Sequence, residues 1–162
     1  VVLFKIGDYI THPMHGAGVI ESIVTKKING SQRDYYVLKL PVGDMVVMVP
    51  VSGCEDIGVR SIISRSEAEK LFSAFSEIEI SMTQNWNKRY RENMDKIKSG
   101  NLLDVASVVK GLMCRDSERG LSTSERKMLH SAKQILISEL VIATDMDYDG
   151  VEKRLCAALK EG

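Results

Sequence analysis

The chain has 162 residues, of which 44% are hydrophobic and 27% are charged. This balance excludes an intrinsically disordered chain and fits one domain or two small ones. The longest apolar stretch, residues 135–143, is interrupted by Ser138 and Glu139, so neither a membrane span nor a signal peptide is expected. The three cysteines lie far apart with no CxxC pair, which indicates reduced thiols in a cytoplasmic protein.

The formal net charge of zero hides an uneven distribution along the chain. Residues 1–70 carry eight Lys/Arg and eight Asp/Glu, whereas residues 83–134 carry eleven against six and residues 139–162 carry three against six. Only the middle segment has the excess expected of a phosphate-facing surface. An excess of five is modest and does not by itself establish nucleic-acid binding.

The first part of the chain, residues 1–60, predicts a small antiparallel β-barrel of the SH3- or Tudor-like type. β-branched and aromatic residues are concentrated at residues 9–11, 18–24, 35–40 and 45–49, which favours four or five short strands. Asn29-Gly30 lies between two of these runs and predicts a type I′ hairpin turn. Pro50 is expected to end the last long strand because it cannot donate to a ladder.

The second part, residues 61–162, predicts a compact all-α domain of about five helices, so the fold class is α+β with two domains. Ser-x-x-Glu capping boxes are predicted at residues 66–69 and 122–125. A helix is expected from Thr83 to Gly100, and Asn101 is expected to cap the next one. A last short helix is predicted over residues 151–159.

Two segments have the residue types of metal ligands, and in both a structural role is favoured. Asp145 to Gly150 resembles the start of a calcium-binding loop, but its twelfth position is Cys156 and not a bidentate Glu, which favours a helix-capping loop. His12 and His15 are two imidazoles without a third partner at ligand spacing, which favours a structured turn. We expect no metal and no cofactor.

Trp86 is the only tryptophan, and its neighbours are polar or basic. A lone tryptophan is most often a core anchor. A partly exposed aromatic beside Lys and Arg is also what a base-stacking or wedge contact with nucleic acid requires. The residues alone divide these two interpretations about evenly.

Two segments resemble a known family. Asn85-Trp86 with the following basic residues and Tyr90, together with RDSERGLSTSERKMLHSAKQILISEL at residues 115–140, resembles the CarD/CdnL family of bacterial transcription regulators. FKIGDYITHPMHGAGVI at residues 4–20 resembles the RNA polymerase-interacting domain of that family, which also occurs in the transcription-repair coupling helicase. The helical half has no helicase motif, so the stand-alone regulator is favoured.

The resemblance implies a partner for each half of the chain. The barrel is expected to bind the RNA polymerase β subunit, with its contact surface at Lys26, Lys27, Ile28 and Met48. Some relatives have a basic residue where this chain has Met48. The helical domain is expected to contact promoter DNA at the upstream edge of the transcription bubble.

The implied DNA contacts are one minor-groove wedge, Trp86, and phosphate contacts at Arg91 and Arg126, with Lys88 and Arg89 as helpers. Such contacts predict an influence on open-complex stability with little sequence specificity. The protein is expected to be monomeric and not an enzyme, since no catalytic motif occurs. Two alternatives stay open: an adaptor whose helical half binds another protein and leaves DNA alone, and an enzyme of a kind that the sequence does not reveal.

Overall fold

The computed structural model describes residues 4–41, 43–80 and 83–161. An antiparallel five-stranded sheet is followed by a helical domain, which confirms the predicted α+β fold class. The order of strands in the sheet is β4-β3-β2-β1-β5. The strands are β1 Tyr9–His12, β2 Gly16–Ile28, β3 Ser31–Lys39, β4 Val46–Pro50 and β5 Arg60–Ser61.

The β2–β3 hairpin is the longest feature of the sheet, and the predicted turn is confirmed. Asn29 and Gly30 both have positive φ, at 50° and 81°, as a type I′ turn requires. β1 pairs with β2 only as far as Val19, whereas β3 pairs with β2 out to Ile28. The distal half of the hairpin therefore extends beyond β1.

An irregularity in β2 decides which side chains face the core of the sheet. Ile20 pairs with Leu38 and Ser22 pairs with Val37, so Glu21 is an extra residue in a bulge. Because side chains alternate along a strand, one extra residue moves all later positions to the opposite face. Ile20 and Leu38 lie in the barrel core, and Ser22 lies on the outer face.

A short helix, α1 Cys54–Ile57, links β4 to β5, and five longer helices form the C-terminal domain, as predicted. Their apolar faces meet in one core that includes Phe75, Leu112, Leu136 and Leu140, none of which is exposed. Among the described residues, no helix is both long and apolar enough to cross a membrane. The five helices are α2 Arg65–Phe75, α3 Trp86–Lys98, α4 Leu102–Arg119, α5 Thr123–Thr144 and α6 Tyr148–Glu161.

The first capping box was predicted two residues too late. Ser64, and not Ser66, caps α2, since its side chain accepts from the amide of Glu67 and the Glu67 side chain reaches back to the amide of Ser64. Glu69 instead forms an ion pair with Arg154 of α6. The motif Ser-x-x-Glu occurs twice in this segment, and tertiary contacts select between the two copies.

The starts of two other helices also differ from the prediction. α3 begins at Trp86 because the Asn85 side chain accepts from the amide of Lys88. α6 begins at Tyr148, three residues earlier than predicted, and Asp147 Oδ1 accepts from the amide of Gly150 at 2.8 Å. The acidic loop thus serves as a helix cap. The predicted cap of α4 at Asn101 is confirmed.

The sheet and the helical domain are joined by buried polar contacts. Ser138 Oγ in α5 accepts from the amide of Ala17 at 2.9 Å, and a Cβ on Gly16 would lie only 2.5 Å from that oxygen. Glu139, which is fully buried, accepts two hydrogen bonds from Arg60 of β5 at 2.7 and 3.0 Å. The division predicted between residues 60 and 61 falls inside β5.

Candidate functional sites

The register of the hairpin divides the predicted polymerase surface between two faces. Lys26 lies opposite Arg33, and Lys27 lies opposite Gln32. Directly opposed residues of antiparallel strands point to the same side of the sheet, and successive residues point to opposite sides. Lys26 and Arg33 therefore share one face with Ile28, and Lys27 lies on the other.

Met48 lies on the same face as Lys26. It pairs with Val37, which pairs with Ser22, so Ser22, Lys26, Ile28 and Met48 all belong to the outer face of the sheet. From Ser22 to Ile28 this face spans about 20 Å at the rise of a strand. Met48 and Ile28 are 37% and 47% exposed. We call Lys26, Ile28, Arg33 and Met48 the outer hairpin face; Arg33 was missed by the sequence analysis, although the register of an Asn-Gly hairpin would have indicated it.

Open strand edges border this face. β4 is the end strand of the sheet. Ile20 of β2 still bonds to the backbone of Gly7 and Asp8, and within the described part of the chain β2 beyond Ile20 is paired on one side only. An unpaired strand edge presents N–H and C=O groups to which another strand can add. The outer hairpin face thus combines two cations, two exposed apolar side chains and a backbone edge.

Trp86 occupies the first turn of α3 and is 41% exposed. Its indole stacks on Tyr90, with ring centroids 5.2 Å apart and planes inclined by 20°. Its Nε1 donates to Ser122 Oγ at 3.3 Å. The indole is therefore neither a core anchor nor a free surface side chain. Tyr90 holds it along one face and Ser122 holds it at one edge, and the exposed remainder of the side chain is accessible to a partner.

Arg89 does not have the position that was predicted for a phosphate contact. It is 2% exposed and donates two hydrogen bonds to Glu125, at 2.9 and 3.2 Å. It also donates to the carbonyls of Thr83 and Gln84. Arg89 lies three residues after Trp86 and points into the domain. Its guanidinium N–H groups bond to atoms of the protein itself. We therefore remove Arg89 from the predicted DNA contacts.

The ion pair changes the acid–base behaviour of its carboxylate. The pKa of Glu125 is lowered, mainly by the hydrogen bonds from Arg89. Burial acts in the opposite direction, and the positive charges of Arg89 and Arg115 lower the pKa further. Glu125 is thus ionised throughout the neutral range. The sequence pattern predicts only a capping box for this residue. Its amide does bond to Ser122 Oγ, but its carboxylate binds Arg89.

Lys88 and Arg91 are exposed on the solvent side of α3. At about 100° per residue they lie roughly 160° and 140° around the helix from Trp86. Arg126 lies one helical turn after Ser122, since its amide bonds to the Ser122 carbonyl, and the Ser122 side chain accepts from Trp86 Nε1. The Arg126 guanidinium donates to the carbonyl of Leu121. Arg126 thus lies one turn of α5 from the residue that contacts the indole, whereas Lys88 and Arg91 lie on another side of α3.

Two lysines of the basic middle segment, Lys110 and Lys133, already have partners within the protein. Lys110 is 6% exposed and donates to the carbonyls of Ser76 and Ile78, and Lys133 pairs with Glu152 at 2.8 Å. They stabilise the helical packing. The positive surface of this segment therefore consists of exposed residues on α3, α4 and α5: Lys88, Arg91, Lys96, Lys98, Arg119, Arg126 and Lys127.

The histidine pair forms a structured turn. His12 Nδ1 accepts from the amide of Met14 at 3.0 Å, and the rings of His12 and His15 are 4.6 Å apart. Burial, and then the charge of His15, lower the pKa of His12, so it is neutral at pH 7. No group of three or more potential ligands that could hold a metal occurs among residues 4–41, 43–80 and 83–161.

Comparisons with known proteins agree with this two-part architecture. Residues 4–63 match the CarD-like/TRCF RID domain, and residues 70–156 match the CarD C-terminal domain. The chain belongs to the CarD family. It is 38% identical over 140 residues to the Bacillus subtilis (strain 168) protein named "Putative transcription factor YdeB", which covers 86% of this chain and 92% of that protein.

These matches confirm the predicted resemblance to the CarD/CdnL family. This CarD-family chain is a transcription factor with a polymerase-interacting N-terminal domain. The two matched ranges leave residues 64–69 between them, and this stretch contains the cap and first turn of α2.

Proposed function

We propose that this CarD-family protein binds the RNA polymerase β subunit through the outer hairpin face. We further propose that it contacts promoter DNA at the upstream edge of the bubble through Trp86. By these contacts it would modulate open-complex stability with little sequence specificity. It acts as a monomer in the bacterial cytoplasm and catalyses no reaction. The observation that carries the DNA contact is the 41% exposed indole in the first turn of α3, with Arg126 on the adjoining turn of α5.

The physical argument for a wedge is that the free face of the indole is large, flat and apolar. Insertion between base pairs costs a few kcal/mol of unstacking, so it favours DNA that is already distorted, such as a bubble junction. Phosphate contacts by Lys88, Arg91 and Arg126 add affinity that does not depend on sequence. Because Lys88 and Arg91 lie on another side of α3, they would contact phosphates away from the wedge.

The outer hairpin face supports the polymerase contact in the same way. An open strand edge supplies main-chain hydrogen bonds, and Lys26 with Arg33 favours an acidic partner surface. The Arg60–Glu139 pair joins this half to the helical domain. A protein held on polymerase at one surface presents its second surface at high effective concentration, which strengthens a weak DNA contact.

The test is Trp86→Ala compared with Leu103→Ala. Leu103 is a matched control because it is a large apolar residue in the first turn of a helix and is 50% exposed. The loss of the stacked pair costs about 0.5–1.5 kcal/mol of stability, so Trp86→Ala should melt within a few degrees of the parent protein. The effect of the variant on open-complex lifetime should be about 5- to 150-fold smaller than that of the parent protein, which corresponds to about 1–3 kcal/mol of stacking. Polymerase binding should be unchanged.

Two results would contradict this proposal. A large drop in melting temperature would show that the main role of Trp86 is to stabilise the fold. Unchanged open-complex lifetime would favour the adaptor, in which the helical half binds another protein. A photocrosslinker at position 86 separates the two directly, because only a DNA contact yields a protein–DNA adduct in the polymerase–promoter complex.

A further inference from the structure

The hydroxyl of Ser122, the N-cap of α5, uses its full hydrogen-bonding capacity where α3 and α5 meet. Ser122 Oγ accepts from Trp86 Nε1 at 3.3 Å and from the amide of Glu125 at 3.2 Å, and it donates to Glu125 Oε1 at 3.4 Å. A hydroxyl has one donor and two acceptor positions. One of the two acceptor positions is thus directed at the indole.

The Glu125 carboxylate determines which way this hydroxyl points. An ionised carboxylate can only accept, so the Ser122 hydrogen turns towards it and both lone pairs face N–H groups. Arg89 holds the carboxylate with two hydrogen bonds and also donates to the carbonyls of Thr83 and Gln84. These carbonyls immediately precede α3. The hydrogen bonds therefore run from Trp86 through Ser122, Glu125 and Arg89 back to the residues just before α3.

Ser122 supplies the one hydrogen bond described for the indole, and stacking on Tyr90 would remain without it. A side chain that is 41% exposed and lies in the first turn of a helix has room for other rotamers. The Nε1 hydrogen bond distinguishes among rotamers, whereas a stacked contact tolerates sliding. A side chain that is already held in its binding rotamer loses less conformational entropy when it binds.

We propose that Ser122 is a positioning residue for Trp86: through its contact with the indole Nε1 it holds the ring in the orientation that meets DNA. Its own position is maintained by Glu125 and, through Glu125, by Arg89. This inference rests on the proposed DNA contact of Trp86 for its functional consequence. The orientation of the indole can be measured without DNA.

Intrinsic fluorescence tests the positioning directly, because Trp86 is the only tryptophan in the chain. In Ser122→Ala we expect the fast component of the fluorescence anisotropy decay, which reports local motion of the indole, to rise about twofold in amplitude. Ser122→Thr keeps the hydroxyl and should restore the parent decay.

Ser64→Ala is the matched control for the loss of a helix cap. Ser64 caps α2 through the same kind of bond to the third residue of its helix, so both alanine variants should melt a few degrees lower. Only Ser122→Ala should change the anisotropy. An unchanged decay in Ser122→Ala, or an equal change in Ser64→Ala, would overturn the proposal.

Open-complex lifetime completes the test. We expect Ser122→Ala to reduce the protein's effect on open-complex lifetime about threefold to tenfold, as for the loss of one neutral hydrogen bond, which is less than the reduction in Trp86→Ala. Ser122→Thr should retain the effect. If Trp86→Ala shortens the lifetime and Ser122→Ala does not, the positioning role is wrong and the proposed wedge stands. If Trp86→Ala itself has no effect, the proposed function fails, and the anisotropy result alone decides whether Ser122 orients the indole.

Discussion

The two proposed contact surfaces of this CarD-family protein are built in opposite ways. On the outer hairpin face, Lys26 and Arg33 are exposed, and their placement follows from the paired backbone of β2 and β3. At the helical surface, one indole is held by Ser122 over a buried ion pair. A surface whose geometry is set by backbone pairing should keep that geometry when a single side chain changes. A surface that depends on one side chain needs support from residues far away in sequence.

The largest effect should come from breaking the ion pair beneath Trp86. Arg89 and Glu125 have side chains only 2% and 3% exposed. Removing one partner of a buried pair leaves an uncompensated charge and costs about 3–5 kcal/mol. We therefore expect Glu125→Gln to melt about 6–20 °C below the parent protein in calorimetry. Glu21→Gln, which breaks the exposed pair with Lys39, should cost less than about 1 kcal/mol.

The double variant Arg89→Met with Glu125→Leu and the pH dependence provide controls. The apolar pair should regain most of the lost stability, because no charge stays buried. Since Arg89 lowers the folded-state pKa of Glu125 below its ordinary value of 4.5, the stabilisation is present above pH 4.5 and is lost as the pH falls through the folded-state value. The stability difference between parent and Glu125→Gln should therefore shrink in acid. A constant difference would contradict this role of Glu125.

An intermediate effect should separate the two faces of the hairpin. Lys26 lies on the outer hairpin face and Lys27 on the opposite one. We expect Lys26→Glu to weaken binding of the polymerase β subunit by about 1–2 kcal/mol, or roughly fivefold to thirtyfold. Lys27→Glu makes the same charge change and should have a clearly smaller effect in the same titration. Equal losses of affinity in the two variants would mean that binding depends on net charge and not on which face of the hairpin carries the lysine.

The smallest effects should come from the exposed arginines of the helical domain. Arg91→Ala and Arg126→Ala should each flatten the dependence of log affinity on log salt by about 0.9, the value for one phosphate contact. Each should lower affinity equally for different promoter sequences. Lys133→Ala removes a lysine that is already paired with Glu152 and should leave the slope unchanged. A loss confined to one sequence would indicate base readout.

Much of the fold could be predicted from the sequence because it depends on local interactions. The alternation of residues in β2 and β3, the positive φ of Asn29 and Gly30 and the cap at Asn101 all act within a few residues. The number of helices in the second domain followed from the apolar periodicity. Where two equivalent local signals competed, as at Ser64 and Ser66, the sequence did not distinguish them.

The site at Trp86 shows what local reasoning cannot reach. Sequence alone identified an unusual tryptophan among basic residues, and by composition it counted Arg89 among the available cations. Only the tertiary structure shows that Arg89 is buried against Glu125, 36 residues away, and that Ser122 contacts the indole. The physical reason is that the packing of α3 against α5 decides which charges reach solvent and which stay inside. A guanidinium that has a buried partner cannot be told from a free one by its neighbours in the chain.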